Sequence, residues 1–592
     1  MGAPDLRADL SAAVAVTMMS VPQGVAYALI AGLPPAAGLY AAAVPAILAS
    51  AVRSSSHVVT GPTNAVSLLV GVSIAANVLE GTSPLQFAVE LALLVGLLQL
   101  GAGLLRLGAV VDYISRAVVL GYISGAGLLI GFGQLGNLTG TAMGRGDPFT
   151  RFSTWVAGLH AADVRTLALG LFSLGLMVVV RHVRPNWPEA IIVLASGIAL
   201  SWLFDFQGMG IAVAGDLAPV PAGLPPLTMP LLDWSHLVKL MPVAVAATVL
   251  SLVESSAVAR SISRDSGERL DMNREFVGLG LGNLGAAFTG AYPVSGSLSR
   301  SVLNFRSGAA SRLSGMISGV LMILVLLLLG PLVDLTPIAS LAGLLLVVAW
   351  DLVDKPAIRA VMTSLWADRL AFLATLVGAW TLPLDTAIYL GVGISVALFL
   401  RKVRHVRVTE LVVWRRRIRE SEDVDPPGRC RKVRALHIEG NLFFGAANEL
   451  GEALDEVLAD REMEVLVLRL KRARGLDYTT AAVLKETRQR MRASGRHLLL
   501  VGMTPETMAL FEEVGLMASF GTQELYPTQT QWFRAMNRAL QHAMDLVEEA
   551  EEGCHEDCPL VTYLAEKRAQ RRDPERVGEH RMVTQEVAGL HN

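Results

Sequence analysis

Read as a string of apolar and polar positions, the chain divides near residue 400. From residue 9 to about 400, apolar stretches follow one another with short polar breaks. After Arg401, Lys402, Arg404 and Arg407 the pattern changes to shorter apolar runs spaced by charge. A helix that crosses a bilayer needs roughly 20 mostly apolar residues, because the hydrocarbon core is about 30 Å thick. Fourteen stretches of that kind lie near 9–31, 35–52, 57–79, 84–105, 114–136, 164–182, 188–206, 237–259, 273–292, 296–308, 312–332, 336–352, 366–382 and 384–401. An even number puts both termini on one side. Arg53, Arg106, Arg181, Arg264, Arg312 and Lys355 then fall on inner loops, whereas the outer side carries little beyond Arg145 and Arg151. The excess of positive charge inside makes both termini cytoplasmic.

Two of the fourteen stretches are interrupted. The third carries Thr60-Gly61-Pro62-Thr63-Asn64, and the tenth, after Tyr292-Pro293, carries Ser295-Gly296-Ser297-Leu298-Ser299-Arg300. Pro, Gly and hydroxyl residues at mid-depth break a helix, and in hydrocarbon such backbone survives only against protein or a wet cavity. The third and tenth stretches are seven apart, which fits two repeats of seven spans in opposite orientation with a transport site between them.

If each broken span resumes as a short helix, its first N–H groups are free and its dipole turns its positive end to the cavity. Two such ends make an anion site. Hydroxyls of Thr60, Thr63, Ser295, Ser297 and Ser299 add donors, Gly61, Pro62, Gly296 and Leu298 shape the breaks, and Arg300 adds a full positive charge. Glu254, alone in an apolar span, is the candidate for proton coupling. In the first span Pro22 loosens the helix, and Gln23 and Tyr27, four apart, share a face that could line the pocket. The plainer alternatives are kinked packing with Arg300 reaching an interface, a fixed contact of Glu254 with Arg300 or a hydroxyl, and Gln23 and Tyr27 as glue between helices.

Beyond the boundary, strands near 433–439, 464–470 and 497–501 alternate with helices near 446–458, 479–493, 505–514 and 528–545. That alternation predicts an α/β layer fold. The expected organisation is a transmembrane domain at 1–405, a linker at 406–430, an α/β domain at 431–545, and a charged tail at 546–592, largely disordered.

Composition agrees with a membrane protein: 52% of residues are hydrophobic and 17% charged. The net charge of −2 says little, because the basic residues matter by position and not by sum; nothing suggests a nucleic-acid partner, and no ATP-binding loop or catalytic constellation stands out, so neither enzyme nor cofactor is expected. All three cysteines, Cys430, Cys554 and Cys558, follow the boundary. Cys554-His555-Glu556-Asp557-Cys558 lacks a second ligand pair at zinc spacing, so a solvated loop and no metal are expected. Arginine outnumbers lysine, a bacterial signature, and no cleaved signal peptide is read at the N-terminus.

Pro22-Gln23-Gly24-Val25-Ala26-Tyr27-Ala28, Thr60-Gly61-Pro62, the Glu254 span, Asn273-Arg274-Glu275, Gly282-Asn283, Tyr292-Pro293 and Gly296-Ser297-Leu298-Ser299-Arg300-Ser301 with Asn304 together resemble the SulP anion permeases. The resemblance runs from about residue 5 to 540. It implies a polytopic helical fold of fourteen spans in a 7+7 inverted repeat. Spans one to four and eight to eleven form a substrate-carrying core, and the rest form a gate that supports a homodimer. It further implies that the C-terminal domain is a STAS domain, in whose relatives a Ser or Thr at the turn holding Asp477-Tyr478-Thr479 can be phosphorylated. Asp477 and Thr479 are therefore possible regulatory residues, although helix capping alone accounts for such a turn.

The expected function is secondary active transport of a small anion of the sulfate, bicarbonate or dicarboxylate class across a bacterial inner membrane, by elevator-like alternating access. The expected partners are the anion, a proton, the lipid bilayer and a second copy. Sodium-coupled bicarbonate members place a hydroxyl one turn after the span-eight acid, where this chain has Val258, so the proton is the expected coupling ion. An exchanger or channel of the same fold is the first alternative. A nucleobase permease and a membrane-anchored signalling scaffold are more distant ones.

Overall fold

The computed structural model describes residues 5–77, 83–144, 148–184, 187–230, 233–415, 417–421, 429–521, 523–529, 534–548, 554 and 558–572. The chain divides into two compact units, residues 1–396 and 397–592.

The first unit is helical. Its helices are α1 (Leu6–Ile30), α2 (Pro35–Val52), α3 (Asn64–Asn77), α4 (Pro84–Leu104), α5 (Arg116–Thr139), α6 (Pro148–Gly158), α7 (Val164–Val183), α8 (Glu189–Phe204) and α9 (Ala214–Leu217). They continue as α10 (Trp234–Ser266), α11 (Met272–Phe288), α12 (Leu298–Arg306), α13 (Leu313–Asp334), α14 (Ile338–Asp351), α15 (Lys355–Thr363), α16 (Trp366–Thr381) and α17 (Leu384–Val403), the last running past the unit boundary. Each of the fourteen apolar stretches contains one helix; α6, α9 and α15 are short additions in the connections. Among the described residues, eight helices are long and apolar enough to cross a membrane: α1, α2, α4, α5, α7, α10, α13 and α17. On α13, Leu324, Leu328 and Leu332 stand one turn apart and exposed, a stripe that suits lipid and would be costly in water.

Packing sorts these helices into two groups. α1, α2 and α13 pack together, α11 packs on α2 and α4, and α10 lies on α4 and α12. In the other group α14 lies between α5 and α7, and α16 packs on α5. The first group holds the expected core spans and the second the expected gate. Within the core, small residues bring backbones close: a Cβ on Gly38 of α2 would stand 1.9 Å from the carbonyl oxygen of Gly24 on α1. The two groups meet at an apolar seam where Ala26 and Tyr27 of α1 pack with Met177, Val193, Leu344 and Val347.

Both expected interruptions are real. Thr60–Gly61 forms a two-residue strand, β1, ahead of α3, and Ser295–Gly296 forms β2 ahead of α12. They pair antiparallel, Thr60 opposite Gly296 and Gly61 opposite Ser295. At about 1.5 Å per residue, α3 and α12 reach only roughly 21 and 13 Å, short of a bilayer core. Both therefore begin partway through the unit.

The second unit carries a six-stranded sheet in the order β4-β3-β5-β6-β7-β8. Its strands are β3 (Arg407–Trp414), β4 (Arg417–Ser421), β5 (Val433–Asn441), β6 (Val465–Arg474), β7 (His497–Met503) and β8 (Leu525–Pro527). β5 to β8 pair in parallel, with β3 antiparallel to β5 and to β4. Alternation assigns the two faces: Leu466 and Leu468 of β6 join the core under α18 (Ala447–Leu458), α19 (Tyr478–Ala493) and α20 (Pro505–Glu513). Val465 and Val467 face α21 (Arg534–Glu548) and α22 (Pro559–Arg572) on the other side.

Two expectations about this half need correction. The stretch 406–430 is not simply a linker, because β3 and β4 extend the sheet; Val408, Leu411 and Val413 sit inward among charges that masked the alternation. The region after residue 546 is not wholly a loose tail, because α22 packs Leu560, Tyr563 and Leu564 onto the sheet at i, i+3 and i+4 spacing. Its high charge concealed that stripe. Arg145 and residues 555–557 lie outside the described residues.

Candidate functional site

The starts of α3 and α12 converge at the β1–β2 pair, and three further contacts lock them there. The Ser297 N–H donates to the Val59 carbonyl at 3.0 Å, and the Val59 N–H donates to the Ser301 hydroxyl at 2.9 Å. From the first turn of α12, the Arg300 Nη2 donates to the Pro62 carbonyl at 2.6 Å. Each broken segment thus fixes the other.

Arg300 is wholly buried, yet its Nε and Nη1 have no hydrogen-bond partner among the described residues. A buried guanidinium offers five N–H donors, and leaving them unmatched is costly unless an acceptor arrives. Gly61 makes room for it: a Cβ there would lie 2.5 Å from Arg300 Nη1. Gly61→Ala should therefore push the guanidinium off Pro62 while sparing the fold. We expect anion uptake to fall roughly ten- to hundredfold, the worth of one charged hydrogen bond, with the melting temperature little changed. Uptake kinetics and a thermal melt on one preparation check this.

The neighbouring side chains are polar. Gln23 Nε2 donates to the Ser299 hydroxyl at 3.3 Å, and its buried Oε1 has no partner. Ser297 and Ser299 hydroxyls lie 3.4 Å apart. Thr60 is fully buried with its hydroxyl unpartnered, while Leu298 and Ser299 are exposed. The Thr63 hydroxyl donates to Glu254 Oε2 at 3.0 Å, so the carboxylate is held through the start of α3 and not by Arg300. The Ser295 hydroxyl donates to the Ser251 carbonyl at 3.1 Å and also lies within hydrogen-bonding reach of the Glu254 carboxylate, so β2 flanks the acid as well. Tyr27 is buried at the apolar seam, on the same helix as Gln23. The structure thus gathers residues of α1, α3, α10 and α12, which are far apart in sequence, around one point.

A supporting frame was not visible in the sequence. Asn283 on α11 donates to Gln99 at 2.8 Å and to the Val294 carbonyl at 3.1 Å, and accepts the Val294 N–H at 2.8 Å. Gln99 in turn reaches the Ser251 hydroxyl. This chain fixes the approach to β2 and the Glu254 segment together. Tyr292 accepts from Ser67 at 3.1 Å, tying the same approach to α3. Below β1, Arg53 donates to the Val58 carbonyl at 3.0 Å and pairs with Glu275, which also accepts the Ser54 and Ser55 N–H groups. Amides and charges buried in apolar spans are the signal that could have singled these residues out.

In the second unit Asp477 caps α19: its carboxylate accepts the Thr480 N–H at 3.0 Å and the Phe444 N–H at 2.6 Å. The Thr480 hydroxyl in turn accepts the Asp477 N–H, and Thr479 beside it is exposed. We expect Asp477→Ala to cost about 1 kcal/mol or somewhat more, since a cap and a loop tether go together. Faster amide exchange in α19 of the full-length protein would register it.

The geometry can be set beside known proteins. The profile described as the Sulfate permease family matches residues 6–375, and that of the STAS domain matches residues 428–531. The chain is similar to "Sulfate transporter 4.1, chloroplastic" of Arabidopsis thaliana, at 28% identity over 551 residues that cover 87% of this chain and 78% of the relative. It is also 27% identical over 532 residues to YvdB of Bacillus subtilis, covering 88% of this chain and 95% of that protein. In fold it is similar to the murine Solute Carrier 26 family member A9 anion transporter in the inward-facing state, with a TM-score of 0.80, 18% identity, and coverage of 91% and 92%. It is similar too to the transmembrane domain of a cyanobacterial bicarbonate transporter, BicA, with a TM-score of 0.57, 22% identity, and coverage of 66% of this chain and 97% of that one.

Proposed function

The chain belongs to the Sulfate permease family, and from that premise we infer that it is a secondary carrier for a small oxyanion of the sulfate, bicarbonate or dicarboxylate class. The observation that carries the reading is Arg300, a buried guanidinium with two unmatched nitrogens at the meeting point of two helix starts. An anion with two adjacent oxygens satisfies those donors in a forked, charge-assisted pair. The starts of α3 and α12, where the Ala65 N–H is already taken up by the Asn64 side chain, add fixed positive potential without a mobile counter-charge. Thr60, Thr63, Ser297 and Ser299 hydroxyls with the Gln23 amide then set the rim, Gly61, Pro62, Gly296 and Leu298 shape it, and Tyr27 closes the side toward the seam.

Neither unit carries an ATP-binding loop in its sequence, so the driving force comes from an ion gradient. We assign coupling to a proton on Glu254, because Val258 one turn on offers no oxygen to a hard cation such as sodium. The core group would carry the anion past a stationary gate group along the apolar seam, an elevator-like movement, with fourteen spans in a bacterial inner membrane and both termini cytoplasmic. A homodimer joined through the gates would hold them still, and the STAS domain, with Asp477 and Thr479 at an accessible helix start, would modulate the cycle.

Proteoliposome uptake of sulfate, bicarbonate, nitrate and dicarboxylates, under proton and sodium gradients in turn, tests this. The expected result is saturable, proton-driven accumulation of an oxyanion without sodium dependence. Flux that never exceeds equilibration would overturn the carrier reading in favour of a channel.

A further inference from the structure

The three cysteines of the chain, which the sequence scatters as one residue near the start of the α/β unit and a pair near its end, come together on the α21–α22 side of the STAS sheet. Cys430 stands three residues before β5, and Cys558 directly precedes α22. The Cys430 and Cys554 sulfurs lie 3.5 Å apart, and all three sulfurs lie within 4.8 Å of one another. Cys430 is buried, and Cys554 and Cys558 are half-buried against Leu411, Val433 and Leu560.

Backbone donors serve the sulfurs. The Val433 N–H donates to Cys430 at 3.4 Å, and the first turn of α22 turns the N–H groups of Leu560 and Val561 to Cys558. Such donors are what a metal-bound thiolate needs around it. With zinc–sulfur bonds of about 2.3 Å, tetrahedral thiolates sit about 3.8 Å from one another, so the observed spacing needs sub-ångström adjustment only. A disulfide accounts for less: it joins two of the three sulfurs and leaves a thiol beside it. Three thiols this close cannot all ionise without a cation between them, and sulfur donors select soft ions.

We propose that Cys430, Cys554 and Cys558 form a thiolate site for a soft divalent cation of the zinc class, which staples α22 to the STAS sheet. Binding displaces up to three thiol protons to solvent, and the fourth coordination position falls to water or an added ligand. His555 lies outside the described residues. The sequence could not reveal the site, because Cys554 and Cys558 alone are one ligand short and the third stands 124 residues from Cys554.

The test uses full-length protein in detergent, reduced and stripped by a chelator, then titrated with cobalt(II) alone. The expected result is one cobalt per chain with thiolate-to-cobalt charge-transfer absorption, displaced by zinc, together with slower amide exchange in α22. Cys558→Ser and Cys554→Ser should each weaken binding at least about 100-fold, as should Cys430→Ser. Because Cys430 is buried, its variant is read only if size exclusion and circular dichroism match the parent; the half-buried pair provides the same test without that risk. Absence of stoichiometric cobalt binding by the reduced parent would overturn the proposal. So would undiminished binding in a folded Cys430→Ser protein, or in either of the other two variants.

Discussion

Arg300→Ala is expected to lower anion uptake by at least about 100-fold while the protein keeps its fold. Two charged hydrogen bonds to an oxyanion contribute about 1.5–3 kcal/mol each, and every 1.4 kcal/mol is roughly a factor of ten. The loss should fall on transport because Nε and Nη1 have no partner among the described residues to lose. What the fold gives up is one bond, from Nη2 to the Pro62 carbonyl, while a buried charge with unmatched donors is removed at the same time. The melting temperature should therefore move by a few degrees at most. Uptake and melting measured on one preparation decide the matter, and normal transport by a folded variant would sink the assignment of the site. Arg300→Lys is the sharper companion: it restores the charge without the fork, and partial recovery alone is expected.

The second large effect concerns coupling. Glu254 is half-buried beside the start of α3, with Thr63 donating to one of its oxygens. An anion arriving at Arg300 sets a second negative charge near that carboxylate. A proton on Glu254 relieves the repulsion, and linkage makes the favour mutual: the proton tightens the anion as the anion tightens the proton. On the proposed mechanism the loaded core would then cross without an uncompensated carboxylate, which a low-dielectric path would otherwise make expensive. Glu254→Gln imitates the protonated acid permanently. It should keep anion binding and one-for-one exchange but lose accumulation driven by a pH gradient. In the parent that accumulation reaches about tenfold per pH unit for each coupled proton, and in the variant it falls to equilibration. A Gln variant that still concentrates substrate on a proton gradient alone would make Glu254 a structural residue.

Much of this could be read in advance because the membrane constrains sequence so tightly. Thr60-Gly61-Pro62 and Ser295-Gly296-Ser297 stood out since backbone-breaking residues inside apolar runs have few physical explanations. The repeat spacing set the two breaks at one site, but their hydrogen-bonded pairing as β1 and β2 could not be read, for no local rule gives the register of residue 60 on residue 296. The Asn283–Gln99–Ser251 chain was hidden for the same reason: its members are ordinary polar residues until the fold places them within reach. In the second unit charge misled. Arg407 to Ser421 and the segment after Pro559 look solvated by composition, but their apolar positions fall on single faces and find a sheet or a core.

The two-residue ladder between β1 and β2 has a consequence for how the carrier would be measured. It welds one helix start from each half of the chain into a single rigid body, and Arg300 and Pro62 are cross-bolted in the same block. If the core group moves as proposed, a pocket built this way would not be dismantled and rebuilt when it changes its exposure; it would arrive on the other side as it left. The intrinsic dissociation constant of the anion should then be equal from both faces once the coupling proton is equalised. Any difference between inward and outward apparent affinity would report the unequal rates of the journey and nothing about the pocket. Selectivity, on the same ground, would be fixed in the block and out of reach of the surfaces that slide past it.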